Sequence, residues 1–225
     1  MVSPTATHGS VARFTSACLL IAALLIAALL FAAFPLLRPW GDKDGTSAGL
    51  IDAMASPLWV VAHCAGAFGF VALTLAAVGL RDLHRGTPGQ RGARIGALVL
   101  AVGSGGTLLY YGAETFALHA LAASPTDQTE ALIAAVREGT TQLTLFGVGL
   151  LLVAAGAILL ALAVRRGGVL PRWSAVPLAI VVALYLPQFF ATPGVRVAHG
   201  IVLATSAVWM AVAVLRSGRE ARVSG

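Results

Sequence analysis

The run Thr140–Arg166, TTQLTLFGVGLLLVAAGAILLALAVRR, decides the fold. No charged residue interrupts it between Thr140 and Val164, and it closes on two arginines. A helix needs about 20 mostly apolar residues to cross a hydrocarbon core about 30 Å thick. Inside lipid the backbone N–H and C=O groups find no water, so such a run must satisfy them itself as a helix. The rest of the chain has the same character: 58% of its 225 residues are hydrophobic and 11% charged, with mean hydropathy +0.89. A soluble domain would carry about 25% charged residues. The composition predicts an integral membrane protein, all-α, built as one polytopic bundle without a separate soluble domain.

Six spans are expected, over 17–37, 58–80, 95–117, 140–164, 173–191 and 196–215, flanked by tails 1–16 and 216–225. Arg13 precedes the first, which exceeds the roughly 7–15 residues of a signal-peptide core and is therefore read as an anchor. Charge sets the orientation. Of the 15 Lys and Arg, eleven fall on one side: Arg13, Arg81, Arg85, Arg91, Arg94, Arg165, Arg166, Arg172, Arg216, Arg219 and Arg222. Arg38, Lys43, Arg137 and Arg196 fall on the other, with most of the acids. The positive-inside rule then predicts both termini in the cytoplasm. The pI near 10.4 follows from this asymmetry and carries no nucleic-acid signature. Cys18 and Cys64 belong near opposite membrane faces, too far apart for the roughly 7 Å limit of a disulfide.

The loops differ between sides. The cytoplasmic ones are short and rich in Arg and Gly, whereas 38–57 and 118–139 are longer. In the second, Ser124 can cap, Pro125 suits a first helical position, and Asp127 sits at the capping-box position. Leu132, Ile133 and Val136 follow with helical spacing, so a short amphipathic helix is predicted outside the membrane, before the fourth span. An internal echo links the second and sixth spans: SPLWVVAHCAG (Ser56–Gly66) and TPGVRVAHGIV (Thr192–Val202) share a hydroxyl residue, a proline and Val-Ala-His at one offset. A parallel repeat would set His63 and His199 at similar depth.

Polar residues concentrate in the outer half of the spans. His63, Tyr110, Glu114, Gln142, Tyr185, Gln188 and His199 are the candidate ligand-binding residues. Gly96, Gly103, Thr107, Tyr110 and Glu114 trace one stripe of the third span, and Gln142, Gly149 and Gly156 recur in sevens along the fourth. Small residues let membrane helices approach closely, so each stripe predicts an interhelical seam with a polar outer end. An intramembrane carboxylate such as Glu114 marks a functional site by default. His119 lies about 140° from Glu114 on an ideal helix and is placed outside the core site. Tyr110, Tyr111, Tyr185, Trp40, Trp59, Trp173 and Trp209 fit an interfacial aromatic belt. Pro177 and Pro187 are expected to kink the fifth span. HExxH, Walker and GxSxG motifs do not occur, which argues against catalysis.

YYGAETFALHA, LPRW before the fifth span and LYLPQFF leading toward the sixth resemble a group of small multi-helix membrane proteins of high-GC actinobacteria. The resemblance implies a bundle in the bacterial inner membrane and brings no established activity. The first functional expectation is a binding or transport component whose outer pocket uses His63, Glu114 and His199 for a proton, a divalent metal ion or a small polar ligand. A second is a redox protein in which His63 and His199 ligate haem. A third is a structural subunit whose polar cluster fixes helix packing. The expected surroundings are the lipid bilayer and a second copy or a membrane partner, with no nucleic acid.

Overall fold

The computed structural model describes residues 4–223, with side chains from residue 13 to residue 219. Among the described residues every regular element is helical. The order is α1 (Pro4–Leu37), a 3-10 turn (Gly41–Lys43), α2 (Ser47–Ala55), α3 (Pro57–Leu83), α4 (Gln90–Gly112), a π-turn (Ala113–Ala117), α5 (Leu118–Ala123), α6 (Thr129–Glu138), α7 (Thr140–Gly167), α8 (Val176–Ala183), a second 3-10 turn (Pro187–Phe190) and α9 (Pro193–Val223). Five helices are long and apolar enough to cross a membrane: Arg13–Leu37, Pro57–Leu83, Gln90–Ala123, Thr140–Gly167 and Pro193–Arg219. Their outer faces carry bare apolar side chains, among them Leu29, Phe68, Leu98 and Leu109. Lipid accounts for such exposure, because it is as apolar as the side chains it touches.

The expected fifth span is not one continuous helix. α8 has 8 residues and ends at Ala183, and the chain turns before the 4-residue 3-10 segment. Pro187 offers no N–H to the carbonyl of Ala183, four residues earlier, so the ladder stops there. Pro177 lies in the first turn of α8, where its missing N–H costs nothing, and it starts the helix rather than kinking it.

The glycine stripes do form a seam. α4 and α7 make the most extensive helix pairing, and α1 packs against both α3 and α9. A Cβ at Gly103 would come 2.6 Å from Gly149 O, one at Gly149 2.8 Å from Thr107 N, and one at Gly156 2.8 Å from Gly96 O. The seam therefore brings backbone against backbone. α7 ends in a Gly168 cap at φ 66°, in the left-handed region that favours glycine.

A second, smaller cluster closes one end of the bundle. Met54, Trp59, Leu118, Ala122 and Ile133 pack α2, α3, α5 and α6 together. Leu118 and Ile133, at most 2% exposed, are worth about 1.5–3 kcal/mol each where the alternative is water. α6 is the predicted short amphipathic helix, but it begins later than expected. Gln128 is its N-cap without a side-chain bond, and Thr129 Oγ1 instead accepts from Thr126 N at 2.7 Å. α2 was not foreseen, although Thr46 caps it by accepting from Gly49 N and Ser56 both ends it and starts α3. We call this the capped end. The opposite, arginine-rich end holds Arg165 and Arg172 over the Trp173 ring.

Candidate functional site

Ser56 accepts from Leu58 N and Pro57 occupies the first turn, so α3 starts cleanly at the capped end. Trp59 and His63, four residues apart, then lie one above the other with ring centroids 4.1 Å apart. Opposite them the helix after α4 widens into the π-turn, a feature common at functional sites. There the Trp59 indole donates to the backbone oxygen of Glu114 at 2.7 Å, and the Glu114 carboxylate meets His63 Nε2 at 3.1 Å. His63 Nδ1 lies 2.7 Å from Trp59 O. Trp59, His63 and Glu114 thus close a ring of hydrogen bonds.

That ring fixes a proton count. A carbonyl only accepts, so His63 Nδ1 carries hydrogen toward Trp59 O. The contact between Nε2 and Glu114 Oε2 then needs one further hydrogen, borne by the imidazole or by the carboxyl. In either form the pair is neutral as a unit.

Charges extend outward from it. Glu114 Oε1 accepts from Arg137 Nε at 2.8 Å, and Asp42 Oδ2 takes Arg137 Nη2 at 3.4 Å and Arg38 Nη2 at 2.7 Å. The Tyr110 hydroxyl lies 3.1 Å from Arg137 O and 3.4 Å from Glu114 Oε1, and its single hydrogen serves one at a time. This chain joins Arg38 just after α1, the first 3-10 turn, α3, the end of α4, the π-turn and α6. Burial pulls the Arg137 guanidinium down, but Glu114 and Asp42 more than offset it and hold its pKa above the ordinary value.

Beside these groups is a cavity of about 70 Å³, lined by Arg38, Lys43, His63, Tyr110, Glu114, Arg137 and Arg196, with Phe34, Tyr111, Phe146 and Phe189 as apolar walls. Burial lowers the pKa of Lys43, and Arg137, Arg196 and Arg38 add to the effect against the opposing pull of Asp42.

His63, Tyr110 and Glu114 are therefore brought together. Tyr185, Gln188 and His199 line a neighbouring cavity of about 10 Å³ that shares Phe34 and Arg196 with the first. There Tyr185 OH meets Tyr111 OH at 3.0 Å, Gln188 Oε1 accepts from Arg196 Nε at 3.3 Å, and His199 Nε2 faces Val181 O at 2.9 Å. Gln142 lines neither cavity; its amide donates to Ala135 O and ties α7 to α6. His119 is turned to Met54 O at 2.7 Å, away from the core site, and anchors α2. Trp59, Tyr111 and Tyr185, at 0%, 3% and 4% exposure, lie inside the bundle and not in a belt, whereas Trp173 and Trp209 are exposed.

Arg38, Asp42, Lys43, Arg137 and Arg196 were missed as site residues. A signal existed: Arg38, Lys43, Arg137 and Arg196 are the four cations on the minority side of the charge asymmetry, and all four line the one cavity.

The metal and haem expectations do not fit the donor set. Among the described residues no three His, Cys, Asp or Glu are grouped as a metal site requires. His63 uses both ring nitrogens within the chain, and His199 Nε2 is turned to a backbone carbonyl. The fold and site define a class: an all-helical protein with membrane-compatible helices and a buried ionic cluster under one end. No family model matches the chain, and no curated protein or solved structure shows significant similarity to it, so the functional argument rests on the site itself.

Proposed function

We propose that the protein is a binding or transport component of the bacterial inner membrane. Its cavity at the capped end opens extracytoplasmically and takes a small polar ligand, with a proton held at its floor between His63 and Glu114. The observation that carries this reading is the convergence of Arg38, Lys43, Arg137 and Arg196 with His63 and Glu114 around one cavity. The broken segment 173–190 serves as the sixth crossing. In support, Trp173 stacks with Arg165 at one end, while Tyr185 meets Tyr111 and Gln188 meets Arg196 toward the other. Both termini then lie on the arginine-rich, cytoplasmic side.

A structural role has an observation of its own. Glu114 and Asp42 find partners within the chain, so their ion pairs also fasten the cap to the bundle. One experiment separates the two. Protein in nanodiscs is challenged with a panel of cationic, neutral and anionic small solutes while its melting temperature is followed. The binding reading expects at least one solute to raise the melting temperature of the wild type and not that of Glu114→Gln or Arg137→Gln. If no solute shifts it and the substitutions merely lower it, the cluster is a clamp.

A further inference from the structure

We infer that the ligand of this cavity is a phosphate-type tetrahedral oxyanion, gripped by Arg38, Lys43, Arg137 and Arg196 from four separate elements. The inference rests on reading the cavity as a binding site. The charge balance favours an anion. Four cations line the cavity with one carboxylate, Glu114, and a second, Asp42, pairs with Arg38 and Arg137 beside it; the hydrogen required between His63 and Glu114 leaves that pair neutral. Asp42 alone then answers four positive charges, and a ligand of more than one negative charge answers the rest.

Arg38 supplies an independent sign. It is 4% exposed and spends Nη2 on Asp42, yet among the described residues Nε and Nη1 have no partner, nor has Asp42 Oδ1 beside them. Its guanidinium lies 4.4 Å from the centroid of Trp40 and 4.8 Å from that of Trp59, so the rings on its faces keep it from swinging toward water. A buried guanidinium with open donors is costly unless something accepts from it. Arg196, 5% exposed, is likewise held between Trp40 and Phe189, and among the described residues it donates one hydrogen bond, to Gln188.

Size and shape agree. A cavity needs about 10–15 Å³ to hold one water, so one of about 70 Å³ has room for a group with four oxygens around one centre. The donors come from the end of α1, the first 3-10 turn, α6 and the start of α9, which suits acceptors pointing in several directions better than a planar carboxylate. Apolar walls on the remaining sides thin the water and strengthen each ionic contact. Free phosphate and the phosphodiester of a lipid head group share this chemistry.

The test uses lipid-depleted protein in a non-ionic detergent, titrated by calorimetry with inorganic phosphate at ionic strength held constant by sodium chloride. A second arm replaces phosphate with a short-chain phosphatidylglycerol. Saturable binding of phosphate supports a free oxyanion, and binding of the phospholipid alone supports a head group. In either case Arg196→Gln and Lys43→Met each weaken binding about tenfold or more. Lys43 is exposed on a short turn, so its variant reports even where Arg196→Gln fails to fold. If neither phosphate compound binds, or binding ignores both substitutions, the inference is overturned. The binding-site reading survives that result if neutral or cationic solutes still stabilise the wild type through Glu114, and falls with it if nothing in the panel does.

Discussion

His63 and His84 sit near opposite ends of the same helix, one in the second turn of α3 and the other capping its far end. Each is at most 2% exposed, and each places Nδ1 on the carbonyl four residues earlier, Trp59 O at 2.7 Å and Leu80 O at 2.8 Å. They part at the other nitrogen. His63 Nε2 meets a carboxylate, whereas His84 Nε2 has no partner among the described residues and lies against Gly167, where a Cβ would come within 2.7 Å of it. Local chain geometry fixes one nitrogen of each ring, and the tertiary neighbour decides what the ring can do. One is part of an ionic circuit with a proton to hold; the other is a neutral wedge between helices.

Removing Glu114 collapses that difference and carries the largest expected effect. Glu114→Leu leaves His63 Nε2 facing an apolar group, as in His84, and also strips Arg137 Nε of its acceptor. Taking one partner from a buried ion pair costs about 3–5 kcal/mol, and Arg137 keeps only its longer contact with Asp42 at 3.4 Å. Reversible unfolding in mixed micelles should show that loss, and a cost below about 1 kcal/mol would mean that the circuit contributes little. Glu114→Gln keeps a hydrogen bond in place of the ion pair. Its amide N–H donates to His63 Nε2, so the ring nitrogen shifts should report Nδ1–H with a bare Nε2.

Trp59 sharpens the comparison with a smaller change. Its carbonyl serves His63 as Leu80 serves His84, but its indole also reaches across to Glu114 O at 2.7 Å. Trp59→Phe keeps the first contact and deletes the second. A buried hydrogen bond contributes about 0.5–1.5 kcal/mol net, so the variant should be less stable than the wild type by that amount. It should leave the His63 Nδ1 signal in place. Loss of that signal would mean that the indole bond, not the α3 backbone, orients the ring.

These contacts also mark what the sequence could and could not reveal. The seam between α4 and α7 was legible because Gly96, Gly103, Gly149 and Gly156 repeat in register with the helix, and periodicity is a property of one segment. The polar ends of the stripes were half legible: Tyr110 and Glu114 do look inward, but Gln142, on the neighbouring stripe, turns to Ala135. The ionic circuit obeys no period. Its links join residues 51 and 95 positions apart, and Asp42 and Arg137 stand on short elements, the first 3-10 turn and α6. The break at Ala183 could be read from Pro187, yet where the freed chain would go, toward Arg196 and Tyr111, is set by packing.

His84 gives the smallest effect and the clearest sign. Burial lowers its pKa from the ordinary 6.5, and the bond to Leu80 O only partly opposes the shift. Between the lowered value and 6.5 the unfolded chain binds more protons than the folded one, so stability rises with pH across that window. The contribution is whole above about 6.5 and drains away as the pH falls, by at most about 1.4 kcal/mol per unit for one group. Wild-type protein should therefore melt at a lower temperature at pH 5 than at pH 7. His84→Leu, which has no proton to gain, should show a smaller difference between the two pH values, while Glu114→Gln leaves the His84 contribution intact. A pH dependence unchanged in His84→Leu would place the acid sensitivity elsewhere. A dependence lost in both variants would mean that the two ends of α3 titrate as one system, and the contrast between a circuit and a wedge would fail.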